Sequence, residues 1–388
     1  MSVAIAGSAM RPFGRSRDGS SPRDWIGAVS AAALADAAVD RGDVDALVVG
    51  VESDHLSLQL SPAALAADAI GLDCPAVRVE MGGATGAAAL HAGAMRILAG
   101  AARIVLVVGV EHASQLAPAE VRRLYGLSFD ADIEGMAGIE PVHLYALSIG
   151  AHMAAHGTTA RDLAAVAVKN RSNAALNPNA HRREAITVDA VLASPVVSTP
   201  YRTLDCSPLS DGAVALVLAR ADAAPRTGRR TVRIAGMGSA TDALRLGDRP
   251  AIHRFDGKRR AAAAAYRMAG IEAPSHAIDV AEVYDAFSGA ELQSIEALGL
   301  APDGAAARAL ADGAFAPDGR LPVNLSGGLI GQGGAPGATG LAQAATLARI
   351  LEGRYWPGLQ PARSLQRALA DAHSGIATVS VVTVLEGA

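Results

Sequence analysis

Cysteine is scarce: 388 residues carry only Cys74 and Cys206. Two cysteines cannot build a disulfide framework or a four-cysteine zinc site. Aromatic residues make up 3% and charged residues 19%, the latter below the usual quarter. No sign of charge dominates, since 34 Lys and Arg stand against 38 Asp and Glu. The chain thus lacks a basic field to draw nucleic acid or an anionic membrane, and neither is expected as a partner. No run of about 18 residues is free of charges and breakers, as a membrane span requires. The opening MSVAIAGSAMRPFGRSR lacks the basic start and long apolar run of a secretory signal. A cytoplasmic location is expected. His152 and His156 stand four apart, but without the glutamate of an HExxH pattern, and His181 has no ligand-like spacing. No metal site is expected.

What is present is apolar: 51% of the residues, ample for a large core. At roughly 150 residues per domain the length fits two or three domains, or one large duplicated body. Strand-like and helix-like runs alternate in the first half. Val3–Gly7, Val44–Gly50, Ala76–Val79 and Ile104–Val110 read as strands. Asp24–Val39, Ser61–Ala69 and Ala87–Ala99 read as helices, the last closed by Gly100. Continuous apolar strands between helices imply a sheet covered on both faces. From about His112 to Pro200 the rhythm breaks: a glycine-rich stretch, Gly126–Gly138, is followed by helical runs around Tyr145–Ala155 and Ala160–Asn173, which reads as an inserted subdomain. Gly212–Leu218 then resumes a strand.

The second half echoes the first. Val3-Ala-Ile-Ala-Gly7 returns as Val232-Arg-Ile-Ala-Gly236, and Asp45–Val51 as Asp279–Val283. Gly83-Ala-Thr-Gly86 returns as Gly337-Ala-Thr-Gly340. Each tetrapeptide opens an alanine-rich helix ending in Arg-Ile-Leu-x-Gly, at Arg96–Gly100 and Arg349–Gly353. Each helix is expected to lead to an apolar strand, Ile104–Val110 or Ala377–Leu385. The same echoes in the same order point to an internal duplication. The halves are expected at 1–222 and 228–388, with the insert at about 112–200.

A duplicated α/β chain with a Gly-rich turn entering a central helix in each half resembles the thiolase superfamily. Leu204-Asp-Cys-Ser-Pro-Leu-Ser-Asp-Gly-Ala-Val-Ala215 is similar to its "DG-A-A" segment. Ser326-Gly-Gly-Leu329 followed by Gly337–Gly340 is similar to its C-terminal glycine signature, and Gly109-Val-Glu-His112 to a strand end. His152-Met153, Gly157-Thr-Thr159 and Asn177-Pro178 resemble the sterol-carrier-protein branch. The implied fold is a five-layer αβαβα body of two similar α/β halves with an inserted loop subdomain.

The residues of thiolase chemistry are replaced. The family's C-A-S-G nucleophile motif reads Gly83-Ala-Thr-Gly86, with Gly83 at the cysteine position. Its H-D-C-F motif reads Tyr284-Asp-Ala-Phe287. Its G-H-P loop reads Gly333-Gly-Ala-Pro336, with Gly334 at the histidine position. Covalent acyl transfer needs an activated nucleophile, which Gly83 cannot supply. Cys74 is nine residues from Gly83, and an acyltransferase built on Cys206 is a remote alternative.

A nucleophile-free thiolase with tyrosine for histidine resembles the thiolase-like aldolases of steroid side-chain degradation. That resemblance implies retro-aldol cleavage of a β-hydroxyacyl-CoA, with no covalently bound cofactor because the substrate carries coenzyme A. It also implies a homodimer, joined by a small OB-fold, zinc-ribbon partner into a heterotetramer. Tyr284 is the expected acid/base. A free tyrosine titrates near 10, so as a base it would need a lowered pKa or a water relay. Asp285 and His112 complete the candidate catalytic set. Gly82, Gly83, Thr85 and Gly86, with Ser326, Gly327, Gly333, Gly334 and Gly337, are the candidate oxyanion and substrate-binding residues, because backbone N–H groups at a helix start stabilise an enolate. No titratable side chain stands in Ile330–Gly337, so the second proton-transfer group stays open among water, His112, the insert and the partner. The competing reading is a non-catalytic subunit that binds acyl-CoA or lipid beside a partner enzyme. In it Tyr284 fills the histidine's space, the glycines serve close packing, and Lys258-Arg-Arg260 is either an exposed helix start or a contact for CoA phosphates.

Overall fold

The computed structural model describes residues 2–225 and 227–388. The strands of the first half are β1 (Val3–Met10), β2 (Ala46–Gly50), β3 (Ala76–Val79), β4 (Ile104–Glu111) and β5 (Gly212–Arg220). Those of the second are β6 (Val232–Thr241), β7 (Val280–Glu282), β8 (Arg367–Ser374) and β9 (Val379–Gly387). They form one mixed sheet in the order β3-β2-β4-β5-β1-β6-β9-β8-β7. β1 and β6 meet antiparallel at its centre, Val3 facing Ile234. Counted outward from that seam, each half runs through an antiparallel hairpin-like pair to parallel outer strands. Val323 bridges Ala281 in parallel, standing where β3 stands in the first half. The duplication is thus a property of the fold.

The principal helices are α1 (Pro22–Ala37), α2 (Pro62–Ile70), α3 (Thr85–Leu98), α4 (Pro141–His156), α5 (Ala160–Leu176), α6 (Asp256–Ala269), α7 (Ser288–Ala297) and α8 (Pro336–Leu351). α1 starts sharply because Ser21 and Asp24 cap each other's backbone N–H and Pro22 fits its first turn. α3 and α8 pack on each other between the two halves of the sheet, while α1 and α6 cover its outer faces. Layers alternate helix, sheet, helix, sheet, helix. The central helices approach closely because glycines face each other: a Cβ on Gly86 would stand 2.9 Å from Gly340 N. α8 is buried on all sides, as its apolar run requires.

One expectation needs correction. The strand after α8 is β8, not the segment beginning at Ala377, which belongs to β9. Asp371 and His373 interrupt the apolar pattern of β8, and both are buried there. In the insert, the helical runs expected around Tyr145–Ala155 and Ala160–Asn173 are α4 and α5. α4 and α5 pack against α7, and α5 against the turn Gly328–Gly331, so the insert roofs the second half.

Candidate active site

The carboxyl ends of the parallel strands converge, the usual place for a ligand site in an α/β sheet. Glu52 stands two residues past β2, Tyr284 two past β7, and His373 near the end of β8. With Gly83, just ahead of α3, they line a cavity of about 210 Å³. Tyr125, Phe129 and Tyr145 close it from the insert, and Phe287, Leu329 and Pro208 complete an apolar wall. Five of the chain's eleven Tyr and Phe residues are spent here.

The Tyr284 hydroxyl lies against Gly83, where a Cβ would stand 2.6 Å from Oη and 2.5 Å from the His373 carbonyl oxygen. The duplicate turn shows the same contact, since a Cβ on Gly337 would stand 2.5 Å from Val110 O. Burial, with the nearby Glu52, Asp285 and Asp371 charges, pushes the Tyr284 pKa above its ordinary value. The phenol therefore stays protonated near neutrality and can act as a proton donor. Of the two roles expected of an acid/base, the raised proton affinity favours the acid.

Behind the cavity runs a buried chain of polar groups. Lys258 Nζ donates to Asp371 Oδ2 (2.6 Å) and Ser294 Oγ (2.7 Å), and lies 2.8 Å from His373 Nδ1. His373 Nε2 lies 2.6 Å from Tyr145 Oη, which donates to Gly375 O at 2.7 Å. Burial first, then the Lys258 and Arg249 charges, hold the His373 pKa well below its usual value. Lys258 is fully buried, so it is neither an exposed helix start nor a contact for CoA phosphates.

On the opposite wall, Tyr125 donates to Glu52 Oε2 at 2.9 Å. Glu111 Oε2 accepts from Glu52 N (3.2 Å) and Gly337 N (3.1 Å). Burial and the Glu111 charge raise the Glu52 pKa well above the usual carboxylate value, and burial takes Glu111 to about 7.

Several candidates lie elsewhere. His112 is outside the cavity, packed edge-on against Trp25 with ring centroids 4.8 Å apart. Asp285 lies beneath it, fully buried; it accepts from Leu329 N (2.6 Å) and Asn170 Nδ2 (2.7 Å) and so anchors the glycine loop. Thr85 Oγ1 accepts from Met81 N at 2.8 Å and closes the turn. Gly82 N donates to Glu80 Oε1 at 2.6 Å. Gly86 is a helix-crossing glycine. Ser326 hydrogen-bonds Glu282, and Gly327, at φ +99°, packs on Ala174. Gly333 N donates to Leu329 O (3.1 Å) and Gly334 N to Pro208 O (3.0 Å). Those N–H groups, with that of Gly337, are occupied and cannot serve an oxyanion. Gly334 still lines the cavity, and Gly83 N–H has no acceptor among the described residues. Neither cysteine lines the cavity, and burial drives the Cys206 thiol up to about 12.

Glu52, Tyr125, Tyr145 and His373 escaped the sequence reading. Only Glu52 left a signal: a carboxylate directly after a continuous apolar strand, at the place in the repeat where Tyr284 stands.

Comparison with known proteins accounts for this architecture. Residues 3–222 match the thiolase N-terminal domain family and residues 238–387 the thiolase C-terminal domain-like family. The chain belongs to the thiolase superfamily. Among curated thiolases it is 38% identical to the acetyl-CoA acetyltransferase of Methanothermobacter thermautotrophicus, over 90% of this chain and 91% of that one. It is 32% identical to human sterol carrier protein 2, over 74% of this chain and 55% of that protein. Among solved thiolase-like structures, an Ltp2-ChsH2(DUF35) aldolase superposes with a TM-score of 0.83 at 25% identity, covering 100% of this chain and 98% of that one. A monomeric SCP2-thiolase like protein from Mycobacterium smegmatis shares the fold, with a TM-score of 0.74 at 21% identity over 99% of this chain and 77% of that one. Among the described residues, no helix is long and apolar enough to cross a membrane.

Proposed function

We propose that this thiolase-fold protein is a lyase that cleaves the Cα–Cβ bond of a β-hydroxyacyl-CoA by a retro-aldol reaction. The observation that carries the reading is the Tyr284 hydroxyl seated over Gly83, in a cavity whose wall holds no cysteine. Thiolysis and Claisen condensation through an acyl-enzyme need a nucleophile that this wall does not offer. The acetyltransferase names of its curated relatives are therefore not carried over. Retro-aldol cleavage needs only a base, an acid and donors for an enolate. A base takes the β-hydroxyl proton, the Cα–Cβ pair moves into the thioester as an enolate, and the β-carbon leaves as a ketone or aldehyde. Tyr284 then protonates Cα, giving the shortened acyl-CoA. Gly83 N–H is the candidate donor to the enolate oxygen.

The concentration of aromatic rings around the cavity favours a bulky, ring-bearing acyl group, of which a steroid side-chain thioester is one kind. The aldolase neighbour is a complex with a second protein, which favours a small partner subunit here too, on a homodimer of this chain. A cytoplasmic setting fits that substrate. The test is mass spectrometry of β-hydroxyacyl-CoA thioesters, ring-bearing and simple branched, incubated with the protein alone and with a co-expressed neighbouring partner. A carbonyl product plus shortened acyl-CoA, formed only with the protein, is expected. Intact thioesters that nonetheless bind would overturn the lyase in favour of a non-catalytic acyl-CoA subunit.

A further inference from the structure

We propose that Glu52 is the group that accepts the β-hydroxyl proton, so that cleavage runs on a Glu52–Tyr284 pair supplied by matching strand ends of the two halves. The role deepens the lyase reading and rests on it.

Five titratable side chains line the cavity: Glu52, Tyr125, Tyr145, Tyr284 and His373. The hydrogen bonds decide which of them has an atom free to accept a proton. Lys258 is an ammonium paired with Asp371, so it can only donate. Its proton at His373 Nδ1 makes that nitrogen the acceptor and leaves the ring proton on Nε2. Nε2–H then donates to Tyr145 Oη, and the Tyr145 proton goes to Gly375 O. Both nitrogens of His373 are engaged, and Tyr145 has spent its proton. Tyr125 has likewise spent its proton on Glu52 Oε2. Tyr284 is the acid. The remaining acceptor is Glu52 Oε1, which makes no hydrogen bond among the described residues. It lies 4.0 Å from the position of a Cβ on Gly82, beside the Gly83 turn.

Proximity to Glu111 supports the role. Burial and the Glu111 charge raise the proton affinity of Glu52, so its carboxylate, once ionised, holds a proton from an alcohol more firmly than an exposed glutamate would. Tyr125 fixes Oε2, which leaves Oε1 directed by a formed bond rather than by a mobile side chain. The step balances. Oε1 gains the hydroxyl proton as the Cα–Cβ bond breaks and the C=O bond forms. Tyr284 gives its proton to Cα, and one proton returns from Glu52 to the Tyr284 phenolate through solvent. No oxidant, reductant or metal enters.

The experiment compares wild type, Glu52→Gln and Glu52→Asp on a β-hydroxyacyl-CoA that the wild type cleaves, with thioester binding measured by calorimetry. Glu52→Gln keeps the shape and the Tyr125 bond. Its kcat is expected to fall by at least about 100-fold with Kd within about 3-fold. Glu52→Asp, one methylene shorter, is expected to fall at least about 10-fold and to exceed the Gln variant. If Glu52→Gln does not fold, Glu52→Asp alone decides: an unchanged kcat overturns the role. Glu52→Gln with a third or more of the wild-type kcat also overturns it and leaves the lyase reading standing. A wild type that cleaves no thioester fails the lyase reading, and the role with it.

Discussion

The Tyr284 hydroxyl fills the space a side chain at Gly83 would need, with Oη 2.6 Å from the position of a Cβ there. The two residues are therefore one unit. A larger residue at position 83 displaces the phenol, and a ring at 284 demands glycine at 83. Gly83→Ala is expected to destabilise the protein by about 1–3 kcal/mol, the usual range for overpacking. Tyr284→Phe removes Oη and should relieve part of that, while the clash with His373 O remains. Urea unfolding of both single variants and the double variant should give a coupling energy of at least about 0.5 kcal/mol. Strict additivity would mean that the two groups do not touch.

Tyr284→Phe tests the proton donor directly. The ring, its stacking on His373 at 4.4 Å and the backbone bond to Asp371 all survive the change. Thioester affinity should stay within a few-fold, while turnover falls at least about 100-fold, the low end of general acid–base contributions. Equal turnover would remove Tyr284 from the reaction.

Most of the architecture was legible because apolar strands and the Gly-Ala-Thr-Gly repeats are dictated by burial. Gly86 and Gly340 mark the crossing of α3 and α8, and only a residue without a side chain permits it. β8 was misread for the opposite reason. Its polar residues Asp371 and His373 serve the site rather than the core, and Lys258 from α6 pairs with the one and hydrogen-bonds the other. The site was legible only where a motif flagged it. Gly83 and Tyr284 were found that way. Tyr125 and Tyr145 come from the insert, and nothing in their spacing says that the chain folds them over the strand ends. His112, Gly333 and Gly337 were named for their neighbours in sequence, while their hydrogen bonds and packing bind them elsewhere.

Lys258 and Asp371 form a fully buried ion pair, 2.6 Å apart. Removing one partner of such a pair strands the other charge. Lys258→Met is expected to cost about 3–5 kcal/mol in urea unfolding. The double variant Lys258→Met, Asp371→Leu should recover most of that, since an apolar pair of similar volume is often neutral. The double variant also frees His373 Nδ1, so its turnover should stay low although its stability returns. Restored turnover would show that the Lys258–His373 bond does nothing for the site.

His91 gives the chain a defined pH sensitivity. It is buried on α3, with Nε2 2.8 Å from Thr383 Oγ1 on β9, and burial lowers its pKa from 6.5 to about 4. The native state keeps this imidazole neutral, whereas the unfolded chain binds a proton below about 6.5. Its contribution is therefore complete above about 6.5 and is lost as pH falls toward 4, by an amount of order 3 kcal/mol. Other buried groups act over the same range. His373 is lowered too and has the same sign. Glu282, raised by burial to about 7, has the opposite sign, since its contribution is present below about 4.5 and lost as pH rises toward 7. The raw stability profile mixes these with the raised carboxyls Glu52 and Glu111, so the informative quantity is the difference between wild type and His91→Gln, in which the amide can still bond Thr383. That difference should be flat above about pH 7 and should shift in favour of the variant as pH falls to 4. A difference independent of pH would mean that His91 binds its proton as readily in the native state as in the unfolded chain, and that the α3–β9 contact admits a charge.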